Sequence, residues 1–362
     1  MIERDIGFHR LANQRVTGEK LEKPEDVVRW MGALQAQDYL QAVWAIGART
    51  QSGTLAGVEQ ALEDGKIIRT WPMRGTIHFV PAEDARWMLQ LSAAKMLAAD
   101  GRRMAQLDLT VEIMARCQDL FCSALSGGKR LSRPEIMALL EEAGISTQGQ
   151  RGYHILWYLA QSGVIYVGPM QGKQQTFGLL DELVPDARAL AREDALVELA
   201  RRYFPSHGPA TVHDFAWWAG IRVAEARLGL EGAQPALLSE TIAGKEYWFA
   251  ANAPSPDAGD GVLLLPGFDE YLLGYKDRSA VLPAEHAQKI VPGNNGIFRP
   301  MIVVAGQVVG TWARAIKKKA VEVTLQPFIS LAGAEDQVIQ AAQSYADFVG
   351  LPLSAKIADA AG

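Results

Sequence analysis

The feature that most limits what this chain can fold into is a run of helix, helix, helix and hairpin between residues 110 and 188. A helical stretch covers residues 111–125 and breaks at Gly127-Gly128. Ser132 then stands three residues before Glu135, the spacing of a capping box, in which hydroxyl and carboxylate each accept from the other residue's main-chain amide. Gly144 closes that helix, and another runs over 150–161 before Gly163. Two apolar, β-rich runs follow, 164–167 and 176–180, joined by the polar stretch 171–174. That order predicts a winged helix-turn-helix.

The same order recurs on both sides. Downstream, a helix over 195–203 is expected to end at Pro205, and Thr211 to cap a short helix with Asp214 at its third position. Gly220 ends that helix, residues 222–230 form the next, and 238–242 and 246–249 flank Ala243-Gly244-Lys245 as a wing. Upstream, helices over 6–15, 25–34 and 39–49 precede the β-rich stretch 67–80. After about residue 260 the pattern changes: Val262-Leu263-Leu264-Leu265 reads as a buried strand, 298–326 as strands punctuated by Gly306 and Gly310, and 334–348 as a helix. Residues 251–261, rich in Pro, Gly, Ala and Asp, make the linker. The expected fold is α+β, with winged helix-turn-helix motifs at 1–109, 110–188 and 189–250 and a mostly β module with a C-terminal helix at 262–362.

With 362 residues, 49% hydrophobic and 21% charged, the chain is ordinary globular protein, long enough for two or three domains. Its net charge of -5 gives no global attraction to nucleic acid, so any DNA binding must rest on local basic groups. Cys117 and Cys122, five apart in a helical stretch, offer neither a zinc framework nor a secreted disulfide scaffold, and point to a reducing cytoplasm. The start, Met1-Ile2-Glu3-Arg4-Asp5, lacks a signal peptide's apolar segment. No uncharged apolar run reaches the roughly 20 residues of a membrane span, so no membrane partner is expected.

Gln35-Ala36-Gln37 is the oddest local feature. Val27, Met31 and Leu34 repeat at helical spacing behind Pro24, with Glu25 and Asp26 favouring the helix N-terminus, and the apolar face stops there. In a continued helix residues 35 and 37 would point about 200° apart, whereas an extended or turn segment projects them to one side. The element falls in the turn before, or at the first turn of, the helix that a DNA-binding helix-turn-helix uses for recognition.

Locally basic groups are Arg102, Arg103, Lys129, Arg130 and Arg133, then Arg151, and Lys317, Lys318 and Lys319. Gathered on one surface they would hold phosphates; taken singly each reads as a solvated patch. Arg74 and His78 have the even separation that puts both on one face of a wing strand, Arg74 for a phosphate and His78 for a base or sugar, with a structural histidine as the alternative for His78. Asp269 and Asp277 are eight apart, but nothing in that spacing fixes two carboxylates around a substrate, and turn-capping or pairing with arginine is the stronger reading. There is no phosphate-binding glycine loop, nucleophile elbow or cluster with metal-ligand spacing, and His207 and His213 flank a helix start where capping is commoner than ligation. Neither a metal nor a cofactor is expected.

Several of these segments together resemble a known family. Gln35-Ala36-Gln37, Arg69-Thr70-Trp71-Pro72-Met73-Arg74-Gly75-Thr76-Ile77-His78, His207-Gly208-Pro209-Ala210-Thr211 with Asp214-Phe215-Ala216-Trp217-Trp218, the stretch 265–278 and Gly310-Thr311-Trp312 carry the likeness. In order and spacing they are similar, over nearly the whole chain, to the bacterial winged-helix DNA-binding-domain proteins of the AlkZ-like DNA glycosylase superfamily. The resemblance implies a C-shaped arrangement of three winged helices with a concave surface for double-stranded DNA, and excision of alkylated purines in base-excision repair. In those enzymes a Gln-apolar-Gln motif is catalytic, and Gln35 and Gln37 match it residue by residue. A sister group carries Asp at the second polar position, so Gln37 places the chain nearer the subgroup associated with resistance to DNA-crosslinking natural products. Internal repetition supplies one continuous surface, so a monomer is expected.

That chemistry is physically consistent. An N7- or N3-alkylated purine is already cationic and leaves without an enzyme acid, so fixed amide dipoles need only position water and stabilise an oxocarbenium-like sugar. Two other readings stand beside it. A non-catalytic regulator would show a dimerisation helix and read symmetric half-sites; a drug-sequestering protein would need apolar pockets between modules.

Overall fold

The computed structural model describes residues 3–256, 261–331 and 333–358; Met1-Ile2 and residues 257–260 of the expected linker lie outside the described residues. The chain forms two compact units, residues 59–195 and residues 1–58 together with 196–362.

In the unit 59–195 the strands run in the order Thr76–Pro81, Ile67–Met73, Ile165–Gln171, Gln174–Leu179 and Leu131–Ser132, antiparallel throughout. Helices Val111–Leu125, Arg133–Glu142 and Arg151–Gln161 pack on them, with Phe121, Ile136, Leu140, Ile155 and Leu159 meeting Val167 and Phe177 in one core. The helix-terminus chemistry is as the spacing suggests: Glu135 Oε2 accepts from the Ser132 amide at 2.7 Å and closes a capping box. Arg74 departs from expectation. The strand ends at Met73 and Arg74 occupies the hairpin turn at φ 54°, because Gly75 behind it, at φ 67°, lets the chain reverse in two residues.

In the other unit a five-stranded sheet runs Leu353–Ile357, Val321–Pro327, Gln307–Ile316, Met301–Val304 and Val262–Leu265, with only the first pair parallel. Tyr345 and Phe348, on helix Glu335–Val349, set their rings 5.2 and 5.1 Å from Trp44 of helix Tyr39–Gly47. Trp44 donates its indole N–H to Leu264 O at 2.8 Å, which fixes that helix against the sheet. Gly47 is required for the approach: a Cβ there would lie 2.2 Å from Phe348 Cε2. Helices Val212–Ala219 and Val223–Ala233 are followed by the antiparallel hairpin Leu237–Ile242 and Lys245–Ala250.

Several helix ends differ from what the sequence predicts, and two of them have a clear local cause. The helix expected over 25–34 is Pro24–Met31, because Gly32 at φ 77° turns the chain out of helical geometry. Pro205 lies inside helix Arg192–His207 rather than ending it. Near a C-terminus proline forfeits little beyond its own amide: Gly208 N still reaches Phe204 O at 2.9 Å, and Ser206 Oγ donates to Arg202 O at 2.6 Å. Among the described residues no helix is long and apolar enough to cross a membrane.

Candidate active site at the paired amides

The segment carrying Gln35 and Gln37 is held open at both ends by local chemistry. Gly32 stops one helix, and Asp38 starts the next, its carboxylate accepting from Gln41 N at 3.2 Å. Between them Leu34–Gln35 is extended, Ala36 is buried, and Gln37 is exposed. Gln35 Nε2 donates to Gln37 Oε1 at 3.2 Å, so the two amides share one side of the segment. Gln35 Oε1 and Gln37 Nε2 make no hydrogen bond among the described residues, which leaves the pair with one acceptor and one donor for a further molecule.

Behind Gln35 lies a buried polar network. Glu270, fully buried at the start of helix Glu270–Leu273, accepts from Gln35 N at 3.4 Å through Oε1 and from the Trp218 indole at 2.9 Å through Oε2. His207 Nε2 stands 3.5 Å from Glu270 Oε2 without the alignment of a hydrogen bond, while its ring stacks on Tyr203 at 4.7 Å and its Nδ1 pairs with Ser206 Oγ at 2.8 Å. Burial pushes His207 below the ordinary histidine value, with Glu270 pulling the other way. Asp269 caps the same short helix and binds Arg49 through both oxygens, at 2.9 and 2.8 Å. Arg49 also donates to Gln14 Oε1 at 2.8 Å, and Gln14 Nε2 donates to the Tyr275 hydroxyl at 3.0 Å and to Glu270 O at 3.3 Å. Tyr275 closes the set by donating to His207 O at 2.6 Å.

Both acids are held by structural partners. Asp269 is committed to Arg49, and Asp277 pairs with Lys245 at 2.5 Å; hydrogen bonds from Lys245 and Ser279 outweigh its partial burial and hold its carboxyl well below the usual range. His207 is no cap: it is the buried last residue of its helix.

Lys317, Lys318 and Lys319 are all exposed at the turn between Gln307–Ile316 and Val321–Pro327, with Lys317 Nζ 3.7 Å from Glu322. At the base of that turn Arg314, which nothing in the sequence sets apart from any other strand arginine, lies 3.5 Å from Asp38, the neighbour of Gln37. Two of its guanidinium nitrogens are buried without a hydrogen bond among the described residues.

In the unit 59–195, Arg74 Nη2 meets His78 Nε2 at 3.4 Å, and His78 Nδ1 pairs with Thr76 O at 2.8 Å. His78 is fully buried, so the ring supports Arg74 and presents nothing outward. Arg102, Lys129 and Arg133 are exposed. Arg103 donates to Gln150 at 2.7 Å, and Arg130 pairs with Glu63. Arg151 is engaged with the backbone, donating to Leu107 O and to Ser146 O. Cys117 is buried, which pushes its thiol up to about 11, so it supplies no thiolate near neutral pH.

A pocket of about 560 Å³ is lined by residues including Arg227, Lys245, Trp248 and Asp277, and neither glutamine lines it.

Comparison with known proteins bears on this arrangement. The family described as "DNA glycosylase AlkZ-like" matches residues 28–348. A Streptomyces sahachiroi protein described as an interstrand DNA cross-link repair glycosylase is 26% identical over 334 residues, 85% of this chain and 87% of that protein. The solved structure of Streptomyces sahachiroi DNA glycosylase AlkZ superposes with a TM-score of 0.81, covering 99% of this chain and 100% of that one at 23% identity, so the two share a mixed α and β fold. With the family match spanning most of the sequence and including the paired amides, the chain belongs to the AlkZ-like DNA glycosylase family.

Proposed function

We propose that the protein hydrolyses the N-glycosidic bond of cationic N7- or N3-alkylated purines in double-stranded DNA, crosslinked purines included, with Gln35 and Gln37 as the catalytic pair. The observation that carries this is the 3.2 Å hydrogen bond between the two amides, which ties them together and leaves an acceptor on Gln35 and a donor on Gln37 for a further molecule. As the bond from C1′ to the purine breaks, its electron pair neutralises the base, and positive charge passes to the sugar. Gln35 Oε1 faces that charge and orients a water by accepting its proton in a hydrogen bond, while Gln37 Nε2 donates to the water oxygen. Water then attacks C1′ and its proton passes to solvent. No metal is needed, because the leaving group arrives charged. A neutral purine would need a proton that an amide cannot supply, so selectivity for damaged bases follows from the chemistry.

DNA is held, in this reading, by three winged helix-turn-helix motifs, over 1–109, 110–188 and 189–250. The support for the middle one is its order: Val111–Leu125, Arg133–Glu142 and Arg151–Gln161, then the hairpin Ile165–Gln171 with Gln174–Leu179. Lys317, Lys318 and Lys319 hold phosphates on one unit, and Arg74, Arg102, Arg103, Lys129, Arg130 and Arg133 on the other. The protein acts as a cytoplasmic monomer. A regulator or a sequestering protein would leave the free donor and acceptor of the amide pair without a task.

Incubation with duplex DNA containing N7-methylguanine, with free base measured, tests the reading. Wild type releases base, and Gln35→Ala and Gln37→Ala each lose about 100-fold or more while remaining folded, the scale of a lost transition-state dipole. No release from any alkylated or crosslinked duplex contradicts it.

A further inference from the structure

We propose that Glu270 is a positioning residue for Gln35. The inference rests on the glycosylase reading above. Glu270 is separated from Gln35 by 235 residues and is fully buried, yet one carboxylate oxygen accepts the main-chain N–H of Gln35 at 3.4 Å. Burying a carboxyl group is costly unless its oxygens find donors. Here the second oxygen accepts from the Trp218 indole at 2.9 Å. Trp218 in turn stands behind the turn that delivers Gln35: its Cη2 lies 3.5 Å from where a Cβ on Gly32 would be. The carboxylate therefore joins the peptide of the catalytic segment to the aromatic wall behind it.

Gln35 lies in a two-residue extended segment between helices that end at Met31 and begin at Tyr39, so its main-chain N–H is not committed to a helix and is available to the carboxylate. Rotation of that peptide would carry the side chain away from Gln37, and misplacement by about 1 Å can cost about 100-fold in rate. His207, stacked on Tyr203 and 3.5 Å from Glu270 Oε2, fills the remaining side, so the carboxylate has little room to turn.

Glu270→Gln tests this directly, since its amide must aim an N–H at one of two existing donors while keeping the shape. Base release from an N7-methylguanine duplex is measured under single turnover at saturating protein, and DNA affinity is measured separately on undamaged duplex. The expected result is a rate at least about tenfold below wild type with affinity within about twofold. A rate within about twofold of wild type, or an affinity that falls as far as the rate, overturns the proposal; the latter marks a structural role.

Trp218→Phe, which removes the indole donor and keeps most of the ring, decides the matter if Glu270→Gln does not fold. A slower rate at unchanged affinity supports the proposal, and an unchanged rate overturns it. Gln35→Ala run in parallel separates the two levels. If wild type releases no base, the glycosylase reading itself fails; if Gln35→Ala matches an active wild type, the catalytic role of Gln35 fails and the positioning role with it; if Gln35→Ala is inactive and Glu270→Gln is at full speed, only the positioning role fails.

Discussion

Arg49 and Asp269 form a bidentate ion pair, 2.9 and 2.8 Å, in which both side chains are fully buried. The pair joins helix Tyr39–Gly47, at whose C-terminal end Arg49 stands, to the cap of the short helix that begins with Glu270. Removing one partner leaves the other charge buried and uncompensated, so Arg49→Ala is expected to destabilise the fold by about 3–5 kcal/mol. Urea unfolding of the variant, read as a shift in midpoint at constant slope, measures this.

The buried imidazole sets a pH dependence of stability. His207 binds its proton less readily folded than unfolded, so the unfolded chain takes up the extra proton as pH falls below the ordinary value of 6.5. The contribution of His207 is therefore fully present above that value and is lost progressively on acidification, down to its lower folded pKa. The slope is at most about 1.4 kcal/mol per pH unit. Burial also lowers His9, with the same sign, so the comparison must be between wild type and His207→Phe. Unfolding free energies from pH 7.5 to 5 should fall less steeply in the variant; parallel curves would contradict the assignment.

At the turn of the long hairpin, three consecutive exposed lysines should contribute to affinity and little to chemistry. Replacing Lys317, Lys318 and Lys319 by Ala is expected to weaken DNA binding and to lower the slope of log affinity against log salt by about 0.9 for each phosphate that is no longer neutralised. Base release at saturating protein should change only a few-fold. Titration of duplex at several salt concentrations checks both the affinity and the slope.

Packing at the aromatic corner is tight enough to test with one methyl group. Gly47→Ala would place a Cβ 2.2 Å from Phe348 Cε2, so the ring must move, and overpacking of this kind typically costs about 1–3 kcal/mol. Phe348→Leu in the same chain should recover part of that loss in thermal unfolding. Recovery of none would show that the clash is relieved elsewhere.

What is readable in the sequence is local. Ser132 with Glu135, and Thr211 with Asp214, make their caps within three residues, and both capping boxes form. Gln35 and Gln37 are two residues apart, so their meeting depends only on an extended segment, which Gly32 and Asp38 supply. Partners distant in sequence are hidden. Glu270 and Gln35 are 235 residues apart, and Arg49 and Asp269 are 220 apart, separations at which no periodicity links two positions. His78 shows a subtler limit: Arg74 leaves the strand for the hairpin turn, so the even separation does not set the two on one strand face, and burial of the strand that carries His78 makes its ring an interior group. Arg314 carries no signal of its own, since a single arginine on a strand is common, and only the fold brings it to Asp38. Pro205 misleads because a proline's cost depends on whether helix continues beyond it for many turns or for two residues.

Two uncharged amides, Gln35 and Gln37, are proposed to suffice for excision of a base that is already cationic. Single-turnover release of N7-methylguanine, compared with release of unmodified guanine from the same duplex sequence, tests this for wild type and for the Gln35→Ala, Gln37→Ala double variant. Release of N7-methylguanine by wild type only is expected, with no measurable release of unmodified guanine by either protein and unchanged DNA affinity in the double variant. Release of N7-methylguanine by the folded double variant at the wild-type rate would contradict it.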